Sequence, residues 1–464
     1  MLQDKAFLVG IGGSGMMPLA MILRARGVEV AGSDRALDQG RVPAKFDALR
    51  ALGIELFPQN GIGIASPDQL VVASAAVEES VPDIARANAL GCRRATRAEL
   101  LANLFNDSPL PIGVAGTSGK STVTGMIGWI LHATGRSPTV MNGAVMKNFA
   151  TPDAPFASAL VGAGDAFVSE VDESDGSIAL YAPRIAVLNN VSLDHKALDE
   201  LNQLFRDFLG KAGHAVVNAD NPDALMLGEA LPRPARTFFS VEGAGDLVAR
   251  NLREEPFGIR FDLYAGGEVA PVALRAPGRH NVSNALAAIG AALAAGVSLA
   301  EAADALGGFA GLRRRMEFVG EAAGVTVIDD FGHNPDKIAA TLDTLHAFPG
   351  RLLLLFQPHG FGPLRMMRRE LVATFAGKMR AEDVLVMPDP VYQGGTTTRE
   401  VGSGDIAQGV AGAGRDARHV PDRAEAAAIL VAEARPGDRV VVMGARDDSL
   451  SLLAEGMVRE LAAR

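Results

Sequence analysis

The stretch GVAGTSGKSTVTG, residues 113–125, carries glycines, a lysine and hydroxyl side chains at the start of a helical pattern. Glycines let backbone N–H groups approach a phosphate closely, and the N-terminus of a following helix adds partial positive charge. In such a loop Lys120 reaches the outer phosphates of a nucleotide, and the Ser121 hydroxyl suits Mg²⁺. Val114 stands where the common phosphate loop has its first glycine, so the candidate loop is the shorter run 116–121. We predict a nucleotide-phosphate site, and an ordinary glycine turn before a helix is the alternative.

Acidic and imidazole side chains follow two later strand-like runs, in SEVDESDGS (169–177) and NNVSLDH (189–195). A magnesium site beside the loop would draw oxygen or imidazole ligands from such strand ends. Glu170 lies within its strand, where a carboxylate without a partner is unfavourable. We therefore predict Glu170 and His195 as metal or phosphate contacts. A solvated acidic turn and a structural histidine are the alternatives.

A second glycine-rich turn, GIGGSG at 10–15, lies near the N-terminus, and Asp34 follows nineteen residues beyond Gly15. This pattern matches the dinucleotide fingerprint and by itself suggests an NAD-dependent oxidoreductase. The physical requirement is less specific, because a diphosphate sits on the helix N-terminus and Asp34 accepts hydrogen bonds from a ribose or a base. UDP satisfies that requirement as well as NAD does.

The elements that must position these residues alternate between strands and helices. KAFLVG, the first glycine turn, MMPLAMILRARG and VEVAGSD form a strand–turn–helix–strand unit. NDSPLP (106–111) opens a second segment, in which strand IGVAG leads into the phosphate loop. ALGGFAGL (305–312) precedes four β-rich runs separated by helical patterns. The predicted fold is therefore α/β, with three domains in series.

The three predicted domains have boundaries at these joints. Residues 1–108 are predicted as a Rossmann-like domain and 109–308 as a central ATPase-like domain with a parallel sheet. Residues 309–464 are predicted as a second Rossmann-like α/β domain. A chain of 464 residues is too long for one ordinary core, which agrees with several domains.

Composition narrows the class of protein. With 48% hydrophobic and 21% charged residues the chain is typical of soluble globular proteins, and no secretion signal is apparent, so we predict a cytoplasmic location. A net charge of -10 argues against nonspecific nucleic-acid binding. The single cysteine, Cys92, excludes an internal disulfide and a cysteine-based metal cluster. The apolar run 282–300 contains Asn284 and Gly290, and we expect a buried helix rather than a membrane span.

In their types, order and approximate spacing these motifs resemble those of the Mur ligase family, ATP-dependent ligases that join a carboxylate to an amine. GTSGKS, EVDESD, LDH, GRHNVSNALAA, GLRRRMEFVGE and VIDDFGHNPDKI all have counterparts in the family, and the resemblance covers nearly the whole chain. The resemblance implies ATP contacts at Gly116, Thr117, Ser118, Gly119, Lys120, Ser121, Thr122, His280, Asn281, Asn284, Arg314 and Arg315. It also implies Mg²⁺ contacts at Ser121, Glu170 and His195, and UDP-sugar contacts at Gly12, Gly13, Ser14, Gly15, Asp34 and Ser74.

The implied chemistry proceeds in two steps. A substrate carboxylate attacks the γ-phosphate of ATP to give an acyl phosphate, and Lys120 with Mg²⁺ screens the repulsion between the two anions. An amine then displaces phosphate, with His333 holding or deprotonating it and Asp330 contacting the nucleotide; a structural role for His333 is the alternative. The resemblance implies UDP-N-acetylmuramate or a similar UDP-sugar acid and L-alanine as substrates. It also implies closure of the third domain over ATP. For the oligomeric state we predict a monomer or a homodimer.

The region implied to bind the amine departs from the family pattern. His359 matches, but Gly360 and Pro363 stand where the branch that uses L-alanine has two arginines, and only Arg365 lies nearby. Glycine cannot grip a carboxylate by a bidentate pair. Ser118 also replaces a histidine of that branch. A ligase with a different amine, in muropeptide recycling or with another amino acid, therefore stays open, as does a nucleotide-binding protein that has lost ligase activity.

Overall fold

The computed structural model describes residues 4–75, 77–192, 197–391, 400–445, 447 and 449–464. The chain forms two compact units. The first comprises residues 1–253, 259–275 and 281–312, and the second comprises 254–258, 276–280 and 313–464. Three sheets follow one another along the sequence, two in the first unit and one in the second. The predicted α/β class is confirmed, while the exact domain boundaries stay predictions.

The first sheet has five parallel strands in the order β3-β2-β1-β4-β5. Strand β1 reads KAFLV and four of its five residues are buried, as expected for a parallel strand covered on both faces. The strands are β1 Lys5–Val9, β2 Glu29–Ser33, β3 Glu55–Phe57, β4 Leu70–Ala73 and β5 Arg94–Thr96. The helices are α1 Met16–Ala25, α2 Arg35–Asp38, α3 Pro43–Ala51, α4 Pro82–Leu90 and α5 Arg97–Asn106.

The second sheet has ten strands in the order β15-β14-β13-β12-β11-β10-β6-β9-β7-β8. Its central strands are parallel, and antiparallel pairs lie at both edges. The strands are β6 Leu110–Ala115, β7 Thr139–Met141, β8 Ala159–Leu160, β9 Ala166–Glu170, β10 Ile185–Leu188, β11 His214–Asn218, β12 Arg236–Ser240, β13 Leu247–Glu255, β14 Gly258–Ala265 and β15 Glu268–Leu274. The helices are α6 Lys120–Ala133, α7 Leu198–Gly210, α8 Pro222–Glu229, α9 Arg279–Ala294 and α10 Leu299–Leu306.

The third sheet has six strands in the order β16-β17-β21-β18-β19-β20, with β16 antiparallel at one edge. All four β-rich runs predicted from the sequence are strands of this sheet. The strands are β16 Glu317–Ala322, β17 Val325–Asp330, β18 Leu352–Gln357, β19 Val384–Met387, β20 Asp416–His419 and β21 Arg439–Gly444. The helices are α11 Pro335–His346, α12 Phe361–Met366, α13 Arg368–Lys378, α14 Ser403–Gly412, α15 Arg423–Glu433 and α16 Ser449–Ala462.

The apolar run 282–300 is divided between two helices, α9 and α10, and most of α9 is buried. No helix among the described residues is long and apolar enough to cross a membrane. The expectation of a buried helix is therefore confirmed.

One continuous hydrophobic core joins the first two sheets. At its centre Phe105, from α5, is fully buried. Its ring centroid lies 5.9 Å from that of Phe167 on β9 and 5.2 Å from that of Tyr181. Edge-to-face rings at these distances stabilise the core beyond the area that they bury. The two glycine-rich turns of this unit are thus carried by one packed body.

We expect Phe105→Ala to lower the free energy of unfolding of the first unit by about 3–5 kcal/mol, because a buried ring is replaced by a cavity. Urea denaturation followed by the fluorescence of Trp129, the single tryptophan of the sequence, measures this loss. Leu52→Ala is the control, since Leu52 is 41% exposed and its truncation should cost about 0.5 kcal/mol or less. Equal losses in the two variants would contradict the assignment of Phe105 to the core.

Candidate active site

The phosphate loop connects β6 to α6 and depends on glycine at two positions. Gly116 has φ +130° and Gly119 has φ +85°, a left-handed region that other residues rarely adopt. A Cβ at Gly119 would also collide with the side-chain amides of Asn189 and Asn284. The chain then enters α6 at Lys120, so the helix N-terminus faces the loop. Strand, loop and helix occur in the order that the sequence predicts.

Asn190 fixes the backbone of the loop. Its Oδ1 accepts hydrogen bonds from the Ser118 N–H at 2.8 Å and from the Thr117 hydroxyl at 2.8 Å. Its Nδ2 donates to the Ser118 carbonyl at 3.1 Å. Thr117 and Ser118 are therefore held by a side chain that the sequence analysis did not single out. The available signal was a pair of amides placed directly after the buried strand β10.

Asn189 links the loop to helix α9. Its Nδ2 donates to the Ser118 carbonyl at 3.0 Å and to Asn284 Oδ1 at 2.9 Å. Asn284 Nδ2 donates in turn to Asn281 Oδ1 at 3.1 Å, and both of these residues are buried. The two predicted asparagines of α9 thus lie beside the predicted loop. His280 precedes them in the first turn of α9 and is exposed.

Lys120 lies folded over its own loop. Its Nζ donates to the Gly116 carbonyl at 2.7 Å and to the Glu173 carboxylate at 2.7 and 3.0 Å. Glu173 is only 4% exposed. Burial raises the pKa of its carboxyl, and the adjacent Lys120 ammonium acts in the opposite direction. Glu173 belongs to the acidic run noted in the sequence, but its pairing with Lys120 was not predicted.

Two of the three predicted magnesium ligands are in contact. The Ser121 hydroxyl donates to Glu170 Oε2 at 2.8 Å, and Glu170 is the last residue of β9. A Cβ at Gly143 would collide with the Glu170 carboxylate, so the glycine leaves room for this side chain. A hydroxyl and a carboxylate oxygen fit Mg²⁺, which completes its shell with water and substrate phosphate.

The third predicted ligand, His195, lies outside the described residues. Within the part of the chain that the structure describes, no three histidine, cysteine or carboxylate side chains form a metal-binding group. Thr122, the remaining predicted residue of the loop, is half-buried in the first turn of α6.

The N-terminal glycine turn lies between β1 and α1, as predicted. Gly13 and Ser14 are exposed there, ahead of the first turn of α1. Asp34 accepts from the Gly12 N–H at 2.9 Å and from the Ala36 N–H at 2.7 Å. Its carboxylate therefore shapes the turn and caps α2. Ser74 follows β4 and is half-buried.

Arg97 connects this turn to the acidic run after β9. A Cβ at Gly15 would lie 2.7 Å from Arg97 Nη1, so the guanidinium rests against the turn. Arg97 Nη2 also lies 3.6 Å from Asp175 Oδ2. The acidic run 170–175 consequently contacts the phosphate loop through Glu170 and Glu173, and contacts through Asp175 an arginine that borders the N-terminal turn.

In the second unit, the neighbouring arginines Arg314 and Arg315 take different directions. Arg314 is buried, and its guanidinium donates to the Asp447 carbonyl at 2.9 Å and to the Gly444 carbonyl at 2.6 Å. Arg315 stacks on Phe331, with its guanidinium carbon 4.1 Å from the ring centre. Arg315 Nη1 also donates to the Arg314 carbonyl at 3.2 Å, so both guanidinium groups have acceptors within the protein.

Asp330, at the end of β17, organises the backbone around it. Its carboxylate accepts from the Met316 N–H at 2.9 Å, the Gly332 N–H at 3.0 Å and the Thr341 hydroxyl at 2.8 Å. These bonds fix the turn that carries Arg315 and the turn that carries His333.

The structure brings the two predicted histidines of the second unit together, since the rings of His333 and His359 lie 5.4 Å apart. His333 Nδ1 donates to the Phe331 carbonyl at 2.8 Å, because a carbonyl can only accept. The proton is therefore on Nδ1, and Nε2 keeps its lone pair. Burial above all lowers the pKa of His333 to about 3, and the charge of Lys337 and the proximity of His359 and Arg315 add to this.

Gly360, which follows His359, has a backbone conformation that is unfavourable for an arginine. Gly360 has φ +102° and ψ 157°, which an L-residue adopts only with strain. Helix α12 begins at the next residue, and Arg365 is exposed on it. The replacement of arginine by glycine therefore coincides with a glycine-specific backbone.

Comparison with known proteins covers all three sheets. The chain matches the Mur ligase family catalytic domain at residues 7–108, the Mur ligase middle domain at 114–292 and the Mur ligase glutamate ligase domain at 314–446. It is 37% identical to a UDP-N-acetylmuramate–L-alanine ligase of Streptomyces coelicolor, over 96% of this chain and 95% of the relative. It is 34% identical to the corresponding ligase of Paracoccus denitrificans, over 94% of this chain and 93% of the relative.

Solved structures share the fold. The UDP-N-acetylmuramate-alanine ligase MurC of Thermotoga maritima matches with a TM-score of 0.81 at 23% identity, over 99% of each chain. A murein peptide ligase of Psychrobacter arcticus matches with a TM-score of 0.72 at 24% identity, again over 99% of each chain. The predicted succession of three α/β domains is confirmed.

We expect the His333 imidazole to stay neutral, with its proton on Nδ1, at every pH well above about 3. Its folded pKa lies below the ordinary value of 6.5, so the unfolded chain binds more protons between these values. The stability that His333 contributes is complete above pH 6.5 and is lost as the pH falls toward about 3. NMR of ¹⁵N-histidine-labelled protein, with His333→Gln to assign the signal, measures the titration. A midpoint near 6.5 would contradict the buried environment.

Proposed function

The chain belongs to the Mur ligase family, and we propose that it uses ATP to join the carboxylate of UDP-N-acetylmuramate to the amino group of L-alanine. The observation that carries this proposal is the 37% identity over 96% of the chain to a relative named for that reaction. The geometry of the phosphate loop supports it, because a lysine, a helix N-terminus and a Ser–Glu pair converge there. Such a reaction belongs in the cytoplasm, where ATP and nucleotide sugars are found.

In the first step the substrate carboxylate attacks the γ-phosphate, ADP leaves and an acyl phosphate forms. Both reactants are anions, so positive charge must lie between them. Lys120 supplies one such charge, since it is the first residue of α6 and its side chain folds back over the loop. Ser121, Glu170 and His195 would hold Mg²⁺, which supplies further neutralisation of the phosphates when bound. Gly119 and the N-terminus of α6 would present backbone N–H groups to the nucleotide, since the N–H groups of Thr117 and Ser118 already donate to Asn190. His280, Asn281, Asn284, Arg315 and Asp330 stay predicted nucleotide contacts.

In the second step the amine attacks the acyl phosphate and releases phosphate. His333 is proposed to accept a hydrogen bond from the amine through Nε2. With a pKa of about 3 this imidazole is a weak base, which favours holding the amine over removing its proton. His359, whose ring lies 5.4 Å away, borders the same position.

The acid substrate is proposed to bind at the N-terminal turn, with its diphosphate on the backbone of Gly13, Ser14 and Gly15 and with Ser74 as a further contact. Asp34 already accepts two backbone N–H groups, so we assign it the role of shaping the turn. An NAD-dependent oxidoreductase would leave the phosphate loop without a purpose.

A second candidate function keeps the chemistry and changes the amine. The observation that favours it is Gly360, which has no side chain to bind a carboxylate and whose backbone conformation an arginine would adopt only with strain. If the amine is an amino acid, Arg365 or Arg315 would have to bind its carboxylate. Otherwise the amine would have no carboxylate near Gly360. Phosphate release from ATP with UDP-N-acetylmuramate and a panel of L-alanine, glycine, L-serine and a muropeptide-derived tripeptide distinguishes these cases. Release only with an amine other than L-alanine would support the second candidate.

We expect Lys120→Ala to lower kcat by about 1,000-fold, because the charge that screens the two anions is lost. Affinity for UDP-N-acetylmuramate, measured by calorimetry without ATP, should change by less than about threefold, since that ligand is assigned to the N-terminal turn. Lys5→Ala is the control, as Lys5 is an exposed lysine of the same unit. Loss of acid binding in Lys120→Ala would refute this division of labour.

We expect Glu170→Ala to raise the Mg²⁺ concentration needed for half-maximal activity by about tenfold or more, because a metal-ligand oxygen is removed. Activity at a series of Mg²⁺ concentrations measures the shift. Glu229→Ala removes the same charge from an exposed position at the end of α8 and should leave the requirement unchanged. An unaltered requirement in Glu170→Ala would place Glu170 outside the metal site.

A further inference from the structure

The Glu173 carboxylate and the Gly116 carbonyl both accept hydrogen bonds from the ammonium of Lys120. We propose that Glu173 is a positioning residue for phosphoryl transfer, which keeps Lys120 between its own carboxylate and the transferring phosphate. This inference rests on the proposed ATP-dependent reaction, and it adds a residue to the site assigned above. The carboxylate makes its contacts to Nζ at 2.7 and 3.0 Å, and it is almost completely shielded from solvent.

The Lys120 ammonium has no donor to spare in this arrangement. An ammonium carries three protons, and three protein acceptors surround it: the Gly116 carbonyl and both oxygens of Glu173. A phosphate that approaches Lys120 must therefore replace at least one of these acceptors. Both carboxylate oxygens of Glu173 accept hydrogen bonds from the Lys120 ammonium. Glu173 can therefore give up one of these two bonds to a phosphate and keep the other.

The Lys120 ammonium must lie between the Glu173 carboxylate and the phosphates of ATP, because these two anions repel each other. A buried carboxylate next to a polyphosphate is unfavourable unless a cation separates them. Asp172 adds to this negative environment; although burial acts to raise its pKa, the charges of Lys120 and Arg97 lower it. ATP thus binds against the repulsion of the acidic run, and Lys120 is the side chain that neutralises both sides.

The backbone around Glu173 keeps its carboxylate in place. The Val171 N–H donates to the Val114 carbonyl at 2.8 Å, which ties the start of the run to β6. Asp172 accepts from the Ser174 N–H at 3.0 Å, and the Gly176 N–H donates to the Glu173 carbonyl at 3.2 Å. A turn that is hydrogen-bonded on both sides can orient the lysine without moving when ATP arrives. Orientation of this kind lowers the barrier of the chemical step, although it weakens binding in the ground state.

The test is the variant Glu173→Gln, which keeps the shape of the side chain and removes its charge. We expect kcat to fall by about tenfold or more while ATP binds about three- to tenfold more tightly, because the phosphates no longer compete with the Glu173 carboxylate for the Lys120 ammonium. Calorimetry with ATP and enzyme alone measures the affinity. Thermal unfolding with and without ATP gives a second readout, in which ATP should raise the Tm of the variant more than that of the wild type.

Glu229→Gln is the matched control, since it removes the same charge from an exposed position at the end of α8, and we expect kcat and ATP affinity to change by less than about threefold. Glu173→Asp keeps the charge but shortens the reach; it should lose kcat with near-wild-type ATP affinity, and it serves where Glu173→Gln does not fold. Unchanged kcat in Glu173→Asp, or unchanged or weaker ATP binding in Glu173→Gln, would overturn the proposal. The calorimetry and the thermal unfolding need neither the acid nor the amine substrate. If the wild type ligated no substrate of the panel, the proposed reaction would be refuted. The effect of Glu173 on ATP binding would still be decided by these two measurements.

Discussion

Strand β6 pairs in parallel with β9 on one side and with β10 on the other, and the arrangement of the residues around the phosphate loop depends on this pairing. The parallel register aligns Val114 with Glu170 and Ala115 with Leu188, so three chain segments leave the sheet at one edge. These segments are the phosphate loop, the acidic run and the pair at 189–190. Their side chains bond to the loop directly, which means that its shape is set by the protein and does not wait for a nucleotide.

Local sequence was sufficient for the order of strand, loop and helix, for the place of Glu170 in its strand and for the buried central strands, since glycine conformation, helix starts and runs of branched apolar residues are short-range properties. The ligand roles of the loop and of Glu170 stay predictions. The roles of Asn190 and Glu173 were not predictable in the same way. Which member of an acidic run turns back to Lys120 depends on the hydrogen bonds of the turn at 171–176, and the residue types alone do not reveal that. The antiparallel edge strands β14 and β15 were also missed, because they are partly exposed and their apolar residues are interrupted.

Arg314 and Arg315 are a clearer case in which residue types alone do not reveal the contacts of a side chain. The two residues are identical and adjacent, so no pattern in the sequence separates their roles. A left-handed backbone at Arg314, with φ +60°, sends its guanidinium into the carbonyls of Gly444 and Asp447, which lie more than a hundred residues further along the chain. Arg315 then lies over Phe331, within the electrostatic reach of His333. Long-range packing therefore decides where each of two equal side chains is placed.

The conformation of Gly119 has a consequence for inhibitor resistance. Any side chain at this position would need a left-handed backbone and would press on the amides of Asn189 and Asn284. A single substitution there consequently disturbs two side-chain amides at once, and compensation requires simultaneous changes directly after β10 and on α9. A compound that recognises the backbone at Gly119 would therefore meet a position with few tolerated variants, and escape mutations would have to arise elsewhere.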